Sequence, residues 1–230
     1  MKMKIAVSAI LFYAVITVNI FSQTINQPNI GLKSHETLEL KKIEITPEKT
    51  VISLQIENRI EGGKFCADKN ISIIYPDGSK IKLINAVGIP QCPDTYKFKN
   101  IGEILGFTLT FPPIKPGTEW IDIVEECSDN CFYFYGITLD YYLNKRLDEA
   151  FIIGGKGEPE KNMSLFRNIL ESVDKQNHAI KGLLYINIIT AAVDAGDKIE
   201  AAVWYKRLLS SHTPRLSEYV KYLNDRGIKL

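Results

Sequence analysis

From Thr37 to Leu139 apolar residues recur at every second position. Leu38 and Leu40, then Ile43 and Ile45, alternate with polar neighbours in TLELKKIEIT, and Ile52, Leu54 and Ile56 do the same in TVISLQIEN. A period of two sends successive side chains to opposite faces of an extended chain, so each segment predicts a half-buried strand. ISIIYPDGSKIKLI reads as strand, Pro-Asp-Gly turn and strand, which is a hairpin. Phe107, Leu109 and Phe111 share one face of GFTLTF, and EWIDIVEE alternates from Trp120 to Glu126. Roughly seven or eight short strands in about a hundred residues predict an antiparallel β-sandwich.

After Leu139 the spacing lengthens to the helical period. Leu143, Leu147, Ala150 and Phe151 form one stripe, GGKGEPE breaks the chain, and Met163, Phe166, Leu170 and Val173 form the next. The stretch 180–193 is apolar almost all round, which predicts a helix central among its neighbours. Ala201, Trp204, Tyr205, Leu208 and Leu209 mark another helix, and Leu216, Tyr219, Val220 and Leu223 a last one. The expected fold class is α+β in two parts. An antiparallel sandwich over 37–139, preceded by an extension at 23–36, leads into an antiparallel helical array over 140–230 packed against it.

Two resemblances refine this picture. The strand spacing resembles an immunoglobulin-like sandwich. Within 182–214, AGDKIEAAVWYKRLL resembles the turn and second helix of a tetratricopeptide repeat, with Gly196-Asp197 at the turn, Ala201 at the small packing position and Tyr205 at the following aromatic one. Counted back without a gap, Tyr185 falls on the first-helix aromatic position. Ile189, Ala192 and Leu208 depart from the family's pattern of small, aromatic and alanine residues at those places. The likeness implies a concave face lined by Ile186, Thr190 and Asp194. Ile186 and Thr190 lack the Asn and Lys of carboxylate-clamping members, which implies a groove suited to an apolar or extended segment, or one filled by the sandwich. At most two repeats are present where about three are needed to fold alone, so the helices must lean on the sandwich through a fixed interface.

The run FYFYG fits that interface. Phe132 and Phe134 point to one side of a strand, Tyr133 and Tyr135 to the other. The tyrosine side is expected either to receive the helical array or to form a sugar-stacking platform.

The N-terminus carries Lys2 and Lys4, an apolar run from Ile5 to Phe21, and a small-residue context at Ser22. This pattern reads as an export signal over 1–22, with an uncleaved anchor as the alternative. Loss of the two lysines takes the net charge from +1 to −1. Such a balance provides no basic field for nucleic acid or anionic membranes. No membrane span is expected after cleavage.

Export bears on the four cysteines, Cys66, Cys92, Cys127 and Cys131. An even count outside the reducing cytosol favours disulfides, and of three possible pairings Cys127–Cys131 with Cys66–Cys92 is preferred because a short turn separates the first two. Zinc normally requires two close pairs, and only one exists. A redox role needs C-x-x-C at a helix start, which the C-x-x-x-C spacing does not supply.

Catalytic and cofactor signals are sparse. His35, His178 and His212 are far apart in sequence and read as surface or capping residues. GGKG lacks phosphate-loop spacing, and no cofactor is expected. Asp122, Glu125, Glu126 and Asp129 crowd one strand end, with Asp68 and Asp77 in loops; they read first as solvated charge. The leading expectation is an exported, non-enzymatic binding or adaptor protein of the envelope of a Gram-negative bacterium, periplasmic or extracellular, with a protein or glycan partner. The alternative is a glycan-directed or other hydrolase using the carboxylates from Asp122 to Asp129.

Overall fold

The computed structural model describes residues 22–128, 130–173 and 178–229. The export segment, apart from Ser22, and Asp129 lie outside the described residues.

Two antiparallel sheets form the first part. The first contains β1 (Gln23–Asn26), β3 (Leu38–Ile45), β4 (Thr50–Glu57), β8 (Asn85–Val87) and β10 (Ile104–Phe111), in the order β1-β3-β4-β10-β8. The second contains β2 (Leu32–Lys33), β6 (Ile71–Ile74), β7 (Lys80–Lys82), β11 (Trp120–Glu125) and β12 (Tyr133–Thr138), in the order β2-β12-β11-β6-β7. A small pair joins β5 (Lys64–Phe65) to β9 (Tyr96–Lys97). Alternation sets the register: in β4 Thr50, Ile52, Leu54 and Ile56 are buried and their neighbours half-exposed. Those inward residues meet Phe107, Leu109, Ile121, Ile123, Phe132 and Phe134 in one apolar core. Residues 23–36, expected as an extension, supply an edge strand to each sheet, β1 pairing with β3 and β2 with β12.

Both expected disulfides are present. Cys66–Cys92 ties the segment after β5 to the loop before β9, beside hydrogen bonds from the Ala67 and Cys92 amides to Pro90 and Ala67 carbonyls. Cys127–Cys131 closes the turn between β11 and β12. By loop-closure entropy they contribute about 3.5 and ~2 kcal/mol.

Five helices follow among the described residues: α1 (Tyr141–Gly154), α2 (Pro159–Val173), α3 (Lys181–Asp194), α4 (Lys198–Ser210) and α5 (Leu216–Asp225). Asp140 caps α1 by accepting from the Leu143 amide, directly after the last strand, so no linker intervenes. The α3 helix is central: ten of its residues are buried, and it packs on α2, α4 and α5. Gly196, at φ +76°, makes the tight return from α3 to α4, and Ala201 and Trp204 pack inward. The helical core is distinct from the sandwich core, but Leu32 of β2 packs into it.

Candidate functional site

The outer face of β12 is where the two parts meet. Tyr133 and Tyr135 stack with ring centroids 4.2 Å apart, and the Arg215 guanidinium lies 4.3 Å above the Tyr135 ring. Arg215 immediately precedes α5 and also pairs with Asp122 of β11 at 3.3 Å. The other Asp122 oxygen accepts from the Gly136 amide at 2.7 Å. Tyr219 of α5 is buried, its hydroxyl donates to the Ala179 carbonyl, and a Cβ at Gly31 or Gly182 would overlap its side chain. Only glycine at these two positions lets one aromatic ring key the sandwich edge to α3. A polar clasp supports the other end: Asn144 accepts from the Asn29 amide and donates to the Thr138 carbonyl, while Asn29 reaches Asp148.

Beside this keyed contact lies an open cleft of about 850 Å³. Its walls come from the chain around β2, from β3, from Tyr133 and from the α3 and α5 helices. Leu183 and Ile186 of α3, with Leu32, Leu40 and Tyr133, give it an apolar floor. Four acidic and four basic residues line it, led by Glu36, Glu218, Lys33 and Lys221. Burial lowers the pKa of the Lys33 ammonium, which donates to the Glu36 and Leu38 carbonyls. Burial also raises the Tyr133 phenol, with the Glu218 charge adding in the same direction.

The expected binding residues divide between several places. Ile186 and Tyr133 come together at the cleft. Tyr135 is half-buried beneath Arg215, Thr190 is half-buried farther along α3, and Asp194 is exposed at that helix's end. The tetratricopeptide likeness placed Ile186, Thr190 and Asp194 along one groove; the sandwich reaches over the first half of α3, so only Ile186 contributes to the cleft. The cleft also draws on β2 and Tyr222, which carry no periodic signal in a two-residue strand and a mixed helix face.

The acidic cluster requires a correction. Asp122 and Glu125 are not solvated strand-end charges but buried ones, at 5% and 6% exposure. Glu125 accepts from the Asp68 amide at 2.7 Å and the Phe132 amide at 3.0 Å, tying the segment next to Cys66 to the end of the Cys127–Cys131 turn. Burial raises the pKa of both carboxyls, and the hydrogen bonds each accepts, with Arg215 beside Asp122, act against that rise. Glu126 is exposed and pairs with Lys80. No cleft described above is lined by Asp122 or Glu125. Among the described residues, no three His, Cys, Asp or Glu side chains converge as a metal site.

His178 is the second correction. It is 2% exposed rather than a surface residue, packs near Trp120, and accepts from the Ile180 amide at Nδ1. That bond places the proton on Nε2, which has no hydrogen-bond partner among the described residues. His35 is half-buried against Phe65, and His212 is exposed.

No family model, curated protein or solved structure matches the chain.

Proposed function

We propose that the chain is an exported, non-enzymatic binding or adaptor module of the bacterial cell envelope, with the junction cleft as its recognition surface. The observation that carries this reading is the composition of the cleft. Segments remote in sequence, from β2 to α5, bring an apolar floor and a mixed-charge rim to one place. Concave apolar surface with a few placed charges is the chemistry of recognition. The rigid junction supports the same reading, because Tyr219 and the Arg215–Asp122 pair hold the two walls at a set distance. Export is compatible with two disulfides and with the absence, among the described residues, of a helix long and apolar enough to cross a membrane.

The hydrolase reading loses its support at Asp122 and Glu125, whose oxygens are engaged by backbone amides and Arg215. A general acid or base needs reach to a substrate proton, and these groups are enclosed. The test is affinity capture from native envelope extract with tagged residues 23–230, in wild type and in Glu218→Arg. A partner protein or glycan recovered by wild type and lost with the variant is expected. An empty eluate, or a partner indifferent to Glu218, would contradict the proposal.

A further inference from the structure

We infer that Asn70 carries an N-linked glycan, attached outside the cytoplasm before the β6 strand is paired; this rests on the export part of the proposed function and not on the cleft. The chain holds two Asn-x-Ser triplets, Asn70-Ile71-Ser72 and Asn162-Met163-Ser164. In an exported chain such a triplet is an acceptor for an oligosaccharide, and the bulky sugar requires a surface position. The fold separates the two. Asn70 is exposed in the segment between Cys66 and β6, and its side-chain amide has no hydrogen-bond partner among the described residues. Its main chain is held instead: the Asn70 amide donates to Asp68 Oδ1 at 2.7 Å, and the Asn70 carbonyl accepts from the Glu126 amide at 2.9 Å. An Asx turn of this kind fixes the backbone without using the Asn70 side chain. Asn162 lies in α2, where its Oδ1 is buried and a Cβ at Gly154 of α1 would overlap its Nδ2. A sugar on that nitrogen would part α1 from α2. Neither β6 nor the segment ahead of it lines the junction cleft, so a glycan at Asn70 leaves the cleft open.

The pairing of β6 sets the order of events. Ser72 is buried between Val124 of β11 and Lys82 of β7. The hydroxyl that completes the triplet is therefore closed to a transferase in the folded chain. The β7 strand follows at once, but a lone hairpin is marginal in water, and β11 emerges only later in the chain. Asn70 and Ser72 thus stay accessible while the chain is threaded across the membrane. The donor is an oligosaccharide linked to a lipid through pyrophosphate. Asn70 Nδ2 attacks the anomeric carbon and the C–N bond forms. The bond from that carbon to the pyrophosphate oxygen breaks, the lipid pyrophosphate leaves with the electron pair, and one amide proton passes to a base of the transferase.

The test is tandem mass spectrometry of tryptic peptides from the full chain, recovered from its native envelope, with alkylation of free thiols reporting the disulfides separately. The peptide containing Asn70 is expected to carry a glycan mass and to release sugar fragment ions, while the peptide containing Asn162 stays bare. Asn70→Gln and Ser72→Ala should each abolish the added mass, and Ser72→Thr, which keeps the hydroxyl and suits a strand, should retain it. A bare Asn70 in exported protein with both disulfides formed would overturn the site. A glycan at Asn162 would overturn exposure as the selecting feature, and one that survives Ser72→Ala would overturn the triplet as the signal. Protein found only in the cytoplasm with free thiols would overturn the export reading and this site with it.

Discussion

Replacing Tyr219 by alanine is expected to cost about 3–5 kcal/mol, the range for truncating a large buried aromatic, and to loosen the helices from the sandwich. Tyr219 is 1% exposed and sits between Gly31 of the sandwich edge and Gly182 of α3. Its loss opens a void between the sandwich edge and α3, and also leaves the Ala179 carbonyl without that hydroxyl. The converse substitution, Gly182→Ala, drives a methyl group into the ring and is expected to cost about 1–3 kcal/mol or more. In a Tyr219→Ala background the same change fills space already vacated, so its cost should largely disappear. Urea unfolding of the four proteins measures this coupling. Additive losses would show that ring and glycine do not meet.

Acidification is expected to remove about 3 kcal/mol of stability through His178 alone between pH 6.5 and pH 4. Burial lowers the His178 pKa to about 4 from an ordinary 6.5. A base whose folded pKa is depressed stays neutral in the native state while the unfolded chain takes up a proton. Its contribution is thus complete above pH 6.5 and lost as pH falls toward 4. The Asp140 charge acts in the opposite sense on His178, but burial outweighs it. Asp122 and Glu125 run the other way: their folded pKa values are raised, so protonation at low pH favours the native state and offsets part of the loss. A variant isolates the histidine. His178→Asn retains an acceptor for the Ile180 amide and does not titrate, so its urea midpoint should fall less than that of wild type between pH 7 and pH 4. Parallel midpoints in the two proteins would contradict this assignment.

Much of the fold is legible in the sequence where one side of an element is buried and the other solvated. The β3, β4 and β10 strands show their period of two, and α3 announces its central place by being apolar all round. The same logic fails where both faces are covered. On β11, alternation sets Asp122 opposite Ile121 and Ile123 and so toward water, while Glu125 shares their face and reads as solvated only because it stands at the strand end. Arg215, just ahead of α5, covers Asp122, and two amides close over Glu125. His178 is hidden by a similar event, since its cover includes Trp120 of a remote strand. The site was legible only in part. Ile186 and Tyr133 carry local signals, from the repeat-like segment and the aromatic run. Their meeting depends on Gly31, Gly182 and Tyr219 interlocking, a long-range fit that no local pattern encodes.

The proposed function puts a partner against the walls of the junction cleft. A benzophenone photo-crosslinking side chain placed at position 222, in the cleft, and separately at position 152, exposed on α1, tests it in intact envelopes. The expected result is a discrete adduct from position 222 that weakens when Glu36 and Glu218 are both changed to glutamine, with none from position 152. Adducts from position 152 alone, or an adduct at 222 insensitive to those two carboxylates, would contradict it.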